Sequence, residues 1–249
     1  MNGLLLPLMT ANIGLAFRQS ELNGKVIVLV LVFISIGAWT VMLTKFAQLR
    51  AARLASNRFL KTFRGESYVT NLFIKRHHAP DTPLSAMYDA GCQALRAELK
   101  ADGIERPEDL FAGKTDTAET RKLDSSQMDA IRSAVDCALA DKALELESLM
   151  GLLGTVVSVG PFLGLLGTVW GVMGTFSGMA TAGSATLSAV APGISGALLC
   201  TVAGLLVALP ATIGYTLLST RIRYLAVQMD NFAQEFTGRI QQEFMLNRK

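Results

Sequence analysis

The chain has 249 residues, of which 51% are hydrophobic and only 17% charged; the formal net charge is +3 and the mean hydropathy +0.38. Charge this sparse excludes an ordinary soluble domain of the same length. No internal repeat, low-complexity tract or nucleic-acid motif is present, and no Ser/His/Asp, Cys/His or phosphate-binding arrangement that would mark an enzyme.

Residues 1–24 carry Leu4, Leu5, Leu6, Leu8, Ile13, Leu15 and Phe17 with Arg18 and Glu21, the pattern of a short interfacial helix broken near Pro7. Val26–Thr44 is free of charge and bracketed by Lys25 and Lys45. At about 1.5 Å per residue it just covers a hydrocarbon core of roughly 30 Å. The run is too long for the core of a secretory signal, and no small-residue cleavage site follows it. The first span is therefore placed at residues 25–45.

Lys45, Arg50, Arg53, Arg58, Lys61 and Arg64 follow this span, whereas only Arg18 and Lys25 precede it. Cytoplasmic flanks collect Lys and Arg, so the N-terminus is expected outside and the C-terminus inside. The same residues suit contact with lipid headgroups. Residues 46–147 then form a cytoplasmic helical region. Phe46–Arg64 continues the first helix, His77–Pro83 is a turn, Pro83–Lys100 is amphipathic and Ala101–Thr120 is a polar loop. Adjacent His77 and His78 cannot share a helix face as ligands, so no metal or other cofactor is expected. Cys92, Cys137 and Cys200 have no pairing or ligand spacing. Trp39 fits an anchor at the membrane interface.

Asp124 with Gln127 three residues on has the form of a capping box. From there Met128, Ile131, Val135, Leu139, Leu144, Leu146 and Leu149 run on at helical spacing without a breaker. The expectation is one long helix from about Ser125 to about Phe176, kinked at Pro161. From Ser148 through Thr220 there is no Asp, Glu, Lys, Arg or His. That stretch is long enough for two crossings at about 20 residues each. The second span is placed at 148–178, a short periplasmic link at 179–190 and the third span at 191–220. Pro192 suits the first turn of the third span, and Pro210 marks a kink within it. The helix should continue over residues 221–249 as an amphipathic cytoplasmic element, with Leu225, Met229, Phe232, Phe236, Ile240 and Phe244 on one side.

Gly160, Gly164, Gly167, Gly171, Gly174 and Gly178 recur at alternating four- and three-residue steps. Glycine costs roughly 1 kcal/mol in a helix interior, so six in phase point to a backbone that must approach closely. Gly196, Cys200, Gly204, Ala208 and Thr212 answer at four-residue steps in the third span. Trp170 suits packing between subunits. Four hydroxyls remain inside the apolar run: Thr168 and Thr175 on one face of the second span, Ser195 and Thr201 in the third. Each could bond back to a carbonyl one turn earlier, or serve a titrating group or water in a channel. The residues alone leave both readings open.

Gly160–Thr175, GPFLGLLGTVWGVMGT, resembles the second-span signature of the TolQ/ExbB/MotA proton-channel family, and Ala191–Pro210, APGISGALLCTVAGLLVALP, resembles its third. The likeness covers roughly residues 125–240. Three spans with a large first insert fit the TolQ/ExbB branch, and Met229–Phe236, MDNFAQEF, leans toward TolQ. The resemblance implies a fold and an assembly: an all-α integral membrane protein, three spans with the second and third extended into the cytoplasm, and a homopentamer around a central lumen. It implies a bacterial inner-membrane location and partners: two single-span TolR/ExbD-like subunits in the lumen, whose aspartate carries the proton, and a TonB- or TolA-like transducer beyond. It implies that Thr168 and Thr201 line the proton pathway. Where the branch commonly has an acid two positions after APGI, this chain has Gly196. The acidic chemistry is then supplied in trans. Coupling of the proton motive force to mechanical work on the envelope is the function so implied, either for TonB-dependent uptake or for Tol-Pal-like maintenance. A passive scaffold and a sodium-coupled stator are the alternatives.

Overall fold

In the computed structural model the described residues are 22–66, 68–74, 82–103, 123–182 and 186–244, and all regular structure among them is helical. In chain order the helices are α1 Leu22–Gly65, α2 Asn71–Ile74, α3 Pro83–Ala101, α4 Ser125–Glu147, α5 Met150–Ala182 and α6 Leu187–Phe244. Three helical stretches, Leu22–Gly65, Ser125–Thr181 and Val190–Phe244, are long and apolar enough to cross a membrane. Residues 1–21 of the expected 1–24 interfacial segment, His77, His78 and nearly all of the Ala101–Thr120 loop lie outside the described residues.

The chain divides into two units. The first takes residues up to Lys45 with Leu149–Leu218, and the second takes Phe46–Ser148 with Ser219–Lys249.

The first unit holds the start of α1, all of α5 and the first part of α6. Its large side chains point mostly outward: Phe33, Phe162, Met173, Leu206 and Ile213 are each at least 60% exposed. Such a surface is tolerable only against lipid or other protein. Beside a few large buried side chains such as Leu31, Leu153 and Leu218, what it buries is mostly small: Gly160, Gly164, Gly167, Gly196, Ala197, Cys200, Gly204, Ala208 and Ala211. Membrane helices gain little from burying large apolar groups away from equally apolar lipid, so close backbone approach takes over.

The second unit is built the other way, around large side chains. Phe59 and Phe63 of α1, Tyr88 of α3, and Phe232 and Phe236 of α6 form a ring cluster with mostly edge-to-face pairs 5.2–5.9 Å apart. The quadrupoles of aromatic rings favour that geometry. Gly91 lets α3 close on this cluster, since a Cβ there would run into the Phe236 ring and Val135. The Tyr88 hydroxyl donates to Val69 O at 2.7 Å and accepts from the Phe73 N–H at 3.0 Å, tying the α2 region to α3. At the rim, Glu235 receives two hydrogen bonds from the Arg64 guanidinium at 2.7 and 3.1 Å. That hydrogen bond and the carboxylate's charge raise the Arg64 pKa above its ordinary value.

Local signals explain several helix ends. At α4 both halves of the capping box form, with Gln127 Oε1 accepting from the Asp124 N–H at 3.0 Å. The Ser125 N–H donating to Asp124 at 2.7 Å holds that carboxyl below its usual range. At α3 Thr82 and Ser85 do the same, with Pro83 opening the helix.

Two expectations change. The helix expected to be continuous from Ser125 is broken at Ser148–Leu149, where Leu149 adopts φ 65°. A left-handed leucine costs roughly 1–2 kcal/mol, and neither glycine nor proline marks the site. Pro192 does not open α6 but lies inside it, because the helix begins five residues earlier at Leu187. The proline removes one N–H from the ladder and α6 continues through it.

Cys92 is fully buried in the second unit, and burial pushes its thiol well above the usual cysteine range. An unfolded cysteine ionises near pH 8.5. Above that pH the unfolded chain has shed a proton that the folded chain retains. Its contribution is therefore complete below about pH 8.5 and declines above, by at most roughly 1.4 kcal/mol per pH unit. Urea unfolding of the detergent-solubilised chain between pH 7 and 9.5 should show this falling stability, and Cys92→Ala should flatten it.

Candidate functional site

α5 and the charge-free first part of α6, up to Thr220, bring the sequence-selected Thr168 and Thr201 hydroxyls together where the helices are closest. A Cβ on Gly164 would lie 2.8 Å from Cys200 O and 3.1 Å from Thr201 Cα, and one on Gly204 would lie 2.6 Å from Gly160 O. Gly160 faces Gly204 and Ala208, Gly167 faces Cys200 and Ile27, and Gly171 faces Ala197. Gly196 is buried, and its carbonyl is 3.8 Å from the Cys200 thiol. Gly174 is half-buried, while a Cβ on the exposed Gly178 would meet nothing within 4 Å. In α6 the four-residue stripe holds through Ala208, and then Ala211 is buried instead of Thr212. Four residues turn a helix by more than one revolution, so a strict four-step stripe drifts off any fixed face.

Within this contact Thr168 and Thr201 are hydrogen-bonded to each other across the two helices. The Thr168 hydroxyl also lies 3.1 Å from Gly164 O, one turn back, and 3.2 Å from Ala197 O on α6. The Thr201 hydroxyl lies 3.3 Å from Gly164 O. Each hydroxyl has one proton to give and two lone pairs to offer. With one proton shared between the hydroxyls and the other on a carbonyl, acceptor capacity is left over. The pair can thus accept a hydrogen bond from an added donor at no cost to its own, whereas donating outward would break one. Both residues are half-buried, so such a donor has access.

The other two hydroxyls differ. Thr175 donates back to Gly171 O at 2.8 Å, and Gly193 of α6 lies against its side chain. Ser195 is exposed.

Sequence reasoning missed two contributors. The Ala197 carbonyl takes part through its backbone, for which no side-chain signal exists. The Cys200 thiol lies 3.7 Å from Gly24 O, linking α6 to the start of α1. Its place in the small-residue stripe signalled packing but not this partner.

The geometry defines a helical protein with helices of membrane length, two of which meet along a glycine-lined contact that carries hydroxyls and no charge. Residues 101–231 match the model of the MotA/TolQ/ExbB proton channel family, to which the chain belongs. It is 30% identical over 214 residues to the Tol-Pal system protein TolQ of Pseudomonas aeruginosa, covering 85% of each chain. It is 29% identical over 230 residues to the Tol-Pal system protein TolQ of Haemophilus influenzae, covering 89% of this chain and 90% of that one. With the biopolymer transport protein ExbB of Neisseria meningitidis the identity is 25% over 229 residues, 92% of this chain and 97% of the relative.

Proposed function

We propose that this chain is the stator subunit of a proton-driven motor in the bacterial inner membrane. Five copies would surround a lumen lined by α5 and α6, with the N-terminus periplasmic and the second unit in the cytoplasm. Single-span TolR/ExbD-like subunits in that lumen would carry the titrating carboxylate and pass force to a TolA- or TonB-like transducer. Support comes above all from the paired Thr168 and Thr201 hydroxyls in a stretch, Ser148–Thr220, that has no acid of its own, with Gly196 at the position where the branch commonly has one. Their spare lone pairs suit a protonated carboxyl, which donates where a carboxylate cannot. The hydroxyls would therefore favour the neutral form of the partner's acid, the form able to move through a low dielectric. A transmembrane potential of 100 mV supplies about 2.3 kcal/mol per charge. Of the two systems, Tol-Pal is favoured by the TolQ relatives matched over most of the chain.

One observation favours a passive scaffold: Thr168 lies within reach of its own Gly164 carbonyl, which would satisfy it without any ion. Reconstitution decides between the readings. The purified chain would be placed in vesicles with and without the single-span acidic partner, and internal pH followed after an imposed potential. Proton uptake that requires the partner supports the motor. No uptake with both present supports the scaffold, and uptake that follows sodium in place of protons supports a sodium-coupled stator. A discrete five-subunit mass for the detergent-extracted protein is expected alongside.

A further inference from the structure

Within the second unit, α1 and α6 run parallel and are joined along one partly exposed edge by a series of side-chain pairs. In order along both helices these are Phe46 with Arg221, Arg53 with Tyr224, Asn57 with Gln228, and Arg64 with Glu235. The last is an ion pair, and in the third Gln228 Nε2 donates to Asn57 Oδ1 at 2.7 Å. In the first two a ring stands where an acid would. The Arg221 guanidinium lies 4.1 Å from the centre of the Phe46 ring, and that of Arg53 lies 4.7 Å from the centre of the Tyr224 ring. Neither has a carboxylate partner among the described residues. α1 contains no Asp or Glu, and α6 contains none before Asp230.

A ring attracts the face of a guanidinium and takes none of its N–H donors. The two arginines are thus held in place with their donors unspent. Arg221 and Tyr224 are three residues apart on α6, which sets the two pairs one turn from each other. Arg50 is exposed on α1, one turn from both Phe46 and Arg53, and adds a further cation to the same edge. The charge-free runs of the two helices end at Lys45 and Thr220. On each helix the first pair therefore falls where hydrocarbon gives way to headgroups.

We propose that Arg50, Arg53 and Arg221 form a binding site for the phosphate of an anionic phospholipid, with Phe46 and Tyr224 as the platforms that aim two of the three. The lipid supplies the negative charge that Glu235 supplies to Arg64 at the other end of the edge. The free oxygens of a phosphodiester match the forked donors of a guanidinium, whereas an ammonium offers only a point charge. Attraction of basic residues to a negative membrane surface needs no fixed geometry. Here two of the cations are positioned by rings from the opposite helix. The inference holds whether or not the chain conducts protons.

The test titrates the detergent-solubilised full chain with a fluorescent short-chain phosphatidylglycerol, and measures native mass alongside. Arg53→Gln with Arg221→Gln should weaken binding by roughly tenfold or more. Arg58→Gln with Arg223→Gln removes the same charge from exposed positions on the same two helices and should leave binding nearly unchanged. Arg53→Lys with Arg221→Lys keeps the charge and should recover only part of the affinity. Phosphatidylcholine and inorganic phosphate should compete poorly. Equal loss in the two glutamine pairs would mean diffuse attraction and overturn the site, as would no loss in either. Inorganic phosphate competing as well as the lipid would overturn the lipid as its occupant. So would unchanged lipid binding with a lower native mass in Arg53→Gln with Arg221→Gln, which would assign the edge to an acid of a second copy.

Discussion

Thr168→Ala is expected to abolish proton-driven work while leaving the α5–α6 pair assembled. The two consequences separate because the hydroxyl's structural share is small. Side-chain hydrogen bonds between membrane helices average about 0.6 kcal/mol. Thr201 would keep Gly164 O within reach at 3.3 Å and so would not be left unsatisfied. The functional share is larger. A hydrogen bond to a group that changes charge is worth about 1.5–3 kcal/mol. Losing it from the proton-transfer step would slow flux by roughly ten- to a hundredfold. Thr168→Val, which keeps the shape, should fail equally, and Thr168→Ser should restore most of the flux. The readout is proton uptake by vesicles holding the chain and its acidic partner, together with the native mass of the variant. Normal flux in Thr168→Val with the assembly intact would remove this residue from the pathway.

Gly204→Val should produce the largest structural effect. The contacts that an added Cβ would make are with Gly160 O at 2.6 Å, Gly164 Cα at 3.0 Å and Gly164 N at 3.2 Å. All belong to backbone and cannot rotate away. The helices would have to part, at about 1–3 kcal/mol or more for the overpacking alone. The Thr168–Thr201 bond would go with them, so both assembly and flux should be lost. Gly178→Ala is the matched control. It belongs to the same stripe, but its added Cβ meets nothing within 4 Å. Replacing an exposed helical glycine with alanine should instead stabilise α5 by up to about 1 kcal/mol. Thermal unfolding of the detergent-extracted variants compares the two. Equal melting points would mean that the glycine stripe is not a packing surface.

What the sequence by itself determined is whatever depends on the nearest few residues or on simple period. The charge-free run and its basic flanks establish three helices of membrane length. Asp124 and Gln127 start α4 where the capping box requires. The apolar stripe from Leu225 to Ile240 is buried as its spacing demands. The glycine stripe announced a close helix neighbour, and Thr168 and Thr201 stood out as polar atoms in an apolar run.

Only the tertiary structure decided how these pieces meet. That Thr168 bonds Thr201 and reaches the Ala197 carbonyl depends on the register of two helices, which neither helix encodes alone. Helix rotation took Thr212 off the packed face and put Ala211 in its place. Pro192 lies inside α6 because five residues before it are also helical, and a proline sets the bond it cannot make rather than the point where a helix begins. The break at Leu149 is the clearest case. The buried pattern keeps helical phase through it and no residue there favours positive φ, so local preference reads one rod. A positive φ at an unmarked leucine answers to packing spread along the chain rather than to the residues beside it.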